Sequence, residues 1–487
     1  MIHAGARIGE LRFARGFSAL PPEFWEHRKP TPLPDPYLVA VSDAAAELVG
    51  VDPILARDDG QFLAVAAGNE LPAGSEPIST IYAGHQFGSY VAQLGDGRAI
   101  LLGEVNDHEW QLKGSGLTAF SRFADGRAVL RSVIREFLCS EAMDALGIPT
   151  TRALCIAGSE EPVYRERAET AAVLTRLART HIRFGSFEVF HYRNRPDLVK
   201  TLADFTIDRY YPQLRTTDAE NPYLGLLREV TARTAHLMAK WQAVGFSHGV
   251  MNTDNMSILG LTIDYGPFGF MDAYEARFIC NHSDEWGRYA FDRQPTIALW
   301  NCYAFAEALG ELLELQSARE ALETFEPIFQ QAYLGELRAK LGLRTSMDDD
   351  AELLGDLHQA MERAEADYTR TWRTLSTVTG ESDGTFTAQF AERAVIAPWL
   401  ERYRARLRRE TGTDAERKLR MDAVNPKYVL RNYLAQTAIE AAERKDFSEV
   451  QRLLRVLRRP FDDQPENDSY AAPPPEWGRR LEVSCSS

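Results

Sequence analysis

The chain has 487 residues, 45% of them hydrophobic and 26% charged, which excludes a disordered, fibrous or membrane-embedded protein. That length exceeds the roughly 250–300 residues a single hydrophobic core sustains, so two or more lobes are expected. With 70 acidic against 55 basic residues the net charge is −15, which argues against a general binder of nucleic acids or anionic membranes but leaves room for a local basic pocket.

The first eighty residues carry Pro21, Pro22, Pro30, Pro32, Pro34 and Pro36 and read as a wrapping extension, with helix denied through most of the stretch. Nothing between Met1 and Arg15 has the apolar stretch of a secretory signal. From Ile81 the pattern changes. Gln93-Leu94-Gly95-Asp96-Gly97-Arg98 is a turn, Ala99 to Val105 is apolar enough for a strand, and Glu109 to Lys113 is a second strand candidate, so the pair reads as a hairpin at a sheet edge. Between Ala128 and Leu146, Val129, Val133, Ile134, Phe137, Leu138 and Ala142 recur at three- and four-residue steps, predicting a helix that Gly147 and Pro149 stop. A second helix is expected over Leu226 to Val244, ending at Gly245. The stretch Phe246 to Tyr274, rich in Gly, Asn and Asp, has no helical period, and after Pro295 helix-like segments run to about Arg458. The arginines between Glu401 and Arg409 read as a solvated helix face, and Asp348-Asp349-Asp350 as a helix start rather than a metal site. Five widely spaced cysteines without a CxxC support neither a zinc site nor a disulfide scaffold. Cys139, Cys155, Cys280 and Cys302 read as small buried hydrophobes, while Cys485 follows the run Ala471-Ala472-Pro473-Pro474-Pro475 near the chain end, where an exposed thiol is expected.

The residues with chemistry to offer lie in the middle. In Gly95-Asp96-Gly97-Arg98 two glycines allow backbone to approach a ligand and an arginine can hold phosphate oxygens, although taken alone such a pair is most often a simple turn. Lys113 on a strand and Glu136 on the following helix match the way kinase folds aim an ammonium at nucleotide phosphates. In His248-Gly249-Val250-Met251-Asn252-Thr253-Asp254-Asn255, His248 and Asn255 stand seven apart, as in the kinase catalytic loop, and Asp264-Tyr265-Gly266 takes the place of the metal-binding D-F-G. Val250, however, falls where the catalytic aspartate belongs. Asn255 and Asp264 can still build a magnesium site, and Asp254 is the nearest carboxylate able to accept a hydroxyl proton. Arg176 and Arg183, seven apart, would lie near one face if helical; with Arg98 and Lys113 they point to a deep anion pocket, one that holds a terminal phosphate rather than transferring it.

Several long runs carry a resemblance: Tyr82-Ala83-Gly84-His85-Gln86-Phe87-Gly88, Gln93 to Ala99, Asp125-Gly126-Arg127-Ala128-Val129-Leu130-Arg131, Ile134 to Leu138, His181 to Glu188, and His248 to Gly260. Together they resemble the selenoprotein O family across nearly the whole chain. The resemblance implies an α+β, protein kinase-like (pseudokinase) bilobal fold. Its expected parts are an N-terminal wrapping extension at 1–80, an N-lobe with nucleotide-binding loops at 81–205, a C-lobe with catalytic and metal loops at 206–340, and a helical C-terminal region with a Cys-containing tail at 341–487. It implies a protein adenylyltransferase that binds ATP flipped relative to kinases and moves AMP onto Ser, Thr or Tyr hydroxyls of proteins, with Mg2+ or Mn2+. The implied nucleotide contacts are Gly95, Gly97, Arg98, Lys113, Asp125, Gly126, Arg176, Arg183 and Asp264. The implied metal ligands are Asn255 and Asp264, with Asp254 as proton acceptor and Glu136 as partner of Lys113. A disulfide between Cys280 and Cys485 is implied in the same way. The expected partners are protein substrates, among them redox-related ones, with no nucleic acid and no membrane; the expected state is a monomer, in the cytoplasm if bacterial and in mitochondria if eukaryotic. A protein or small-molecule kinase, and a catalytically dead ATP-binding scaffold, remain open beside this reading.

Overall fold

The structure, a computed structural model, describes residues 5–216 and 221–483. Its organising element is an eight-stranded sheet of β1 Trp25–His27, β2 Tyr37–Val41, β3 Ile78–Thr80, β4 Ala99–Val105, β5 His108–Lys113, β6 Ala128–Val129, β7 Arg152–Tyr164 and β8 Ala168–Ala178. The order across the sheet is β1-β3-β4-β5-β8-β7-β2, with β6 added to β8, and the pairings are antiparallel. The β4–β5 hairpin turns at Asn106 and Asp107, both left-handed at φ 49° and 59°, the backbone a two-residue hairpin loop requires. This hairpin is central rather than at the edge expected from sequence, because β3 from the N-terminal stretch pairs with β4 and β8 pairs with β5.

Alternation along the strands gives the sheet two apolar faces. Leu101, Ile156 and Leu174 join the main core, while Ile100, Leu102, Leu112 and Leu177 form a second core with Phe13, Val49, Phe62 and Val65 of the N-terminal stretch. The first eighty residues therefore wrap the sheet and also supply β1, β2 and β3 to it. Where proline thins out they form the short helices Asp43–Leu48, Pro53–Asp58 and Gly60–Ala66, and the proline-rich part before them has no α-helix among the described residues.

On the other face lies α1 Leu130–Ala145, whose Val133, Ile134, Phe137 and Leu138 are buried and which ends before Gly147 at φ 73°. Next come α2 Phe184–His191, α3 Pro196–Tyr210 and α4 Pro222–Val244, the last stopped by left-handed Gly245 at φ 71°. Phe246–Ser247 then pairs with Gly269–Phe270, closing the base of the loop in between. After α5 Gln294–Leu309, helices continue to Leu457 and enclose a third core around Trp372, Trp399 and Tyr403. Asp350 starts the helix Asp350–Arg363, as expected. On Arg393–Leu407, however, Arg406 is buried and bonded to Asp350 at 2.6 Å rather than solvated. Among the described residues no helix is long and apolar enough to cross a membrane.

Glu141, on α1 and fully buried, joins these layers. Its carboxylate accepts from Ser42 Oγ at 2.5 Å, from Arg152 Nε and Nη2 at 2.8 Å each, and from the Ala153 N–H at 3.2 Å. Removing one partner of a buried pair leaves the other charge uncompensated, so Glu141→Ala should lower unfolding free energy by about 3–5 kcal/mol in urea titrations, and Glu141→Gln by less.

Candidate functional site

Asp264 takes a left-handed backbone, φ 57°, unusual for a non-glycine residue and fixed by its neighbours. Buried His248 stacks on Trp241 of α4 at 5.3 Å, and its Nε2 lies 2.8 Å from the Ile263 carbonyl, which requires the proton on Nε2. Burial lowers its pKa, so the ring is neutral, and its Nδ1 accepts from the Val250 N–H at 3.4 Å. One imidazole thus braces the loop holding Asp264 and the loop holding Asp254 and Asn255.

Three cations converge on the Asp264 carboxylate. Arg176 Nη1 bonds Oδ1, Lys113 Nζ lies 3.5 Å from Oδ1, and Arg183 Nη1 donates to Oδ2 at 2.6 Å. Sheet register explains two of them: Arg176 on β8 lies opposite Gln111 on β5, and Lys113 is two residues along, so both side chains leave the sheet on the face covered by α1. There Glu136 takes Lys113 at 2.5 Å and Arg176 at 3.2 Å. Arg183 is the residue just before α2, bonded also to the Asp254 carbonyl at 2.7 Å and lying over the Tyr82 ring at 4.5 Å. Arg176 and Arg183 therefore meet at one carboxylate but not on one helical face, because Arg176 belongs to a strand. Burial alone would raise the Asp264 pKa; the charges of Arg176, Arg183 and Lys113 outweigh it and hold the carboxyl well below the ordinary range. Burial lowers the pKa of Lys113 and Arg98, with Glu136 and Asp264 opposing it.

Lys113, Arg176 and Asp264 line a cleft of about 710 Å³, while Arg183 and Glu136 are buried behind them. Gly95, Gly97, Arg98 and Gly126 line it as well, so it gathers nearly all the nucleotide contacts expected from sequence. The glycines answer to the neighbouring loop: a Cβ on Gly95 would lie 2.5 Å from the Phe120 ring, and one on Gly126 would lie 2.2 Å from the Gly116 backbone. Arg183 and Asp125 are not among the lining residues, Arg183 because it is buried behind Asp264. Asp125 binds Arg165 through two bonds of 2.8 and 2.9 Å, and Arg165 lines the cleft in its place. Arg165, Arg122 and Gln86 were missed from sequence; of these only Gln86 sat in a run that drew attention.

Facing the cations, Asn255 donates its amide to the Val250 carbonyl at 2.9 Å, leaving its amide oxygen as the group suited to a cation. Asp254 is buried. Its Oδ2 is 3.4 Å from Gln86 Nε2, its Oδ1 has no hydrogen-bond partner, and Gly84 is backed so closely that a Cβ would lie 2.4 Å from that oxygen. Burial pushes its pKa up to about 7 against the opposing charge of Arg183. Among the described residues no group of three or more His, Cys, Asp or Glu side chains is suited to hold a metal. Asn255 and Asp264 line the same cleft, and a divalent cation held by them would need phosphate oxygens to complete its shell. Cys280 is buried, with its thiol 3.4 Å from the Ser247 carbonyl; Cys485 lies outside the described residues, whose last member, Val483, accepts from the His282 N–H at 3.0 Å.

Asp264 keeps three cations together, so Asp264→Asn should cost about 3 kcal/mol of stability at pH 7 by denaturant titration. Because the folded pKa is depressed, this stabilisation is complete above the ordinary aspartate pKa and fades as pH falls toward the folded value, so the gap between variant and wild type should narrow in acid.

The family model described as Protein adenylyltransferase SelO matches residues 7–458. A protein nucleotidyltransferase YdiU of Herminiimonas arsenicoxydans is 53% identical over 497 residues, covering 100% of this chain and 99% of its own length. Another of the same name from Burkholderia multivorans is 54% identical over 482 residues, covering 94% and 92%. With the family model spanning almost the whole chain and relatives of this identity aligned end to end, the protein belongs to the SelO family of protein adenylyltransferases.

Proposed function

We propose that this chain is a protein adenylyltransferase acting on a kinase-like bilobal scaffold, with residues 81–205 as the N-lobe, 206–340 as the C-lobe, and 1–80 and 341–487 as extensions of them. It transfers AMP from ATP to Ser, Thr or Tyr hydroxyls of other proteins in the bacterial cytoplasm. The observation that carries this reading is the surplus of cations lining the cleft: Arg98, Lys113, Arg122, Arg127, Arg165 and Arg176 against Asp96, Asp254 and Asp264, with Arg183 buried behind Asp264. Such a cluster grips the terminal phosphates and stabilises diphosphate as it departs, leaving the α-phosphorus for the acceptor. Val250, where a kinase carries its catalytic aspartate, disfavours γ-phosphoryl transfer.

In this reading the acceptor oxygen forms a bond to the α-phosphorus, the bond from that phosphorus to the α,β-bridging oxygen breaks, and diphosphate leaves. The acceptor's proton passes to the Asp254 carboxylate, whose pKa of about 7 suits a base at neutral pH. Gly95, Gly97 and Gly126 keep the loops over the nucleotide close, and Asp125 acts by positioning Arg165. Asn255 and Asp264 would hold Mg2+ or Mn2+, which supplies charge neutralisation to the phosphates. The 280–282 segment beside the described chain end supports Cys280 and Cys485 as a redox pair.

ATP labelled at the α- or the γ-phosphate separates the outcomes. Protein-bound α-label without γ-label is expected, lost in Asp264→Ala; γ-label on protein would instead mean a kinase. Because ionised Asp254 is the competent base, kcat/KM should rise with pH to a plateau above about pH 7, and Asp254→Asn should lower turnover by roughly 10²–10⁴-fold and remove that rise.

A further inference from the structure

The hairpin Gly84–Gln86 and Ser89–Val91 stands at the cleft mouth, and its turn is made by Phe87 and Gly88 at φ 51° and 85°. A bulky residue in the left-handed region is strained and must be held there. The Phe87 N–H does this by donating to Asn252 Oδ1 at 3.1 Å and lying 3.0 Å from the Tyr289 hydroxyl, while the His85 N–H donates to Thr253 Oγ1 at 2.7 Å. The result is a phenylalanine that lines the cleft yet is 43% exposed.

Phe87 is the inner end of a surface that continues through Arg288, packed against Gly88, to Trp300, with buried Tyr289 beneath it. The Phe87 ring lies 5.1 Å from Tyr289, Arg288 lies 5.8 Å from the Tyr289 ring and 5.0 Å from Trp300 on α5, and His85 joins Trp300 at 5.3 Å. Trp300 is 36% exposed and Trp286, two residues before Arg288, is 87% exposed. Large exposed rings grouped together mark a place where another molecule is bound, because singly scattered apolar residues would need no such support. Tryptophan and arginine are also the side chains that dominate binding energy at protein interfaces.

We propose that this surface, from Phe87 to Trp300, docks the acceptor protein: it takes an extended segment bearing an apolar side chain a few residues from the hydroxyl that receives AMP. The proposal rests on the AMP-transfer reading, and its support is continuity, since the surface starts in the wall of the cleft to which that hydroxyl must come. The three contacts between Phe87 and Trp300 set an upper span of roughly 16 Å, the length of about five extended residues.

The test uses two synthetic peptides with one central tyrosine, carrying leucine or serine five positions away on both sides. Binding to the full chain is followed by fluorescence anisotropy, and labelling by α-labelled ATP. The leucine peptide should bind at least tenfold more tightly than the serine peptide; Trp300→Ala should erase that preference, Trp300→Phe should keep it, and both variants should retain the wild-type rise in melting temperature with ATP. Equal affinity for the two peptides, or a preference that survives Trp300→Ala, would overturn the docking surface. A tenfold preference without α-label on tyrosine would leave the surface standing and overturn AMP transfer instead.

Discussion

The Asp264 carboxylate and the three cations gathered on it are the interaction on which the rest of the site depends. Arg176 comes from β8, Lys113 from the end of β5, and Arg183 from the start of α2, so one side chain ties the sheet, α1 through Glu136, and the loop closed by Phe246–Ser247 and Gly269–Phe270. Like charges at such separations repel, and in a buried setting only a carboxylate of depressed pKa keeps them together. On the proposed reading, a polyanionic substrate would meet this arrangement already formed. The side chains need little reorganisation to receive it, which is the economy of a preorganised site.

The scaffold is built to keep that arrangement rigid. Both faces of the sheet are apolar because the N-terminal stretch covers one and α1 covers the other, so β4 and β5 are fixed from either side and the register between Gln111 and Arg176 cannot slip without turning Gln111 and Lys113 into the apolar core on the opposite face. Polar residues inside this shell are satisfied by specific partners: Glu141 by Ser42 and Arg152, His248 by Ile263, and Glu188 by Thr253 and His85. Asp254 differs from these in being a carboxylate with one oxygen unpartnered, as His181 Nε2 and Trp110 Nε1 also are, and in lining the cleft as well.

Much of this was legible in the sequence where local rules decide the outcome. The α1 and α4 helices follow from their apolar spacing and terminal glycines, the β4–β5 hairpin from two short apolar runs around a turn, and the loop from His248 to Asn255 from its residue types. What escaped depends on partners far along the chain. Strands of three to five residues such as β1, β2 and β3 carry too little pattern to be seen alone and exist because the larger sheet accepts them. Arg176 and Arg183 were rightly grouped, yet the helical spacing that grouped them was not the cause; strand register and a helix start bring them together. Asp125 was expected at the nucleotide, but its carboxylate holds Arg165, forty residues away, and no local signal announces that pairing.

The central claim is that the cation cluster holds the terminal phosphates, and the most direct measurement is a crystal structure of the chain with Mg2+ and an ATP analogue whose α,β-bridging oxygen is replaced by methylene. The account predicts the γ-phosphate against Lys113 and Arg176, with the α-phosphorus nearest Asp254. A γ-phosphate placed beside Asp254, with the adenosine end of the nucleotide toward the cations, would contradict it.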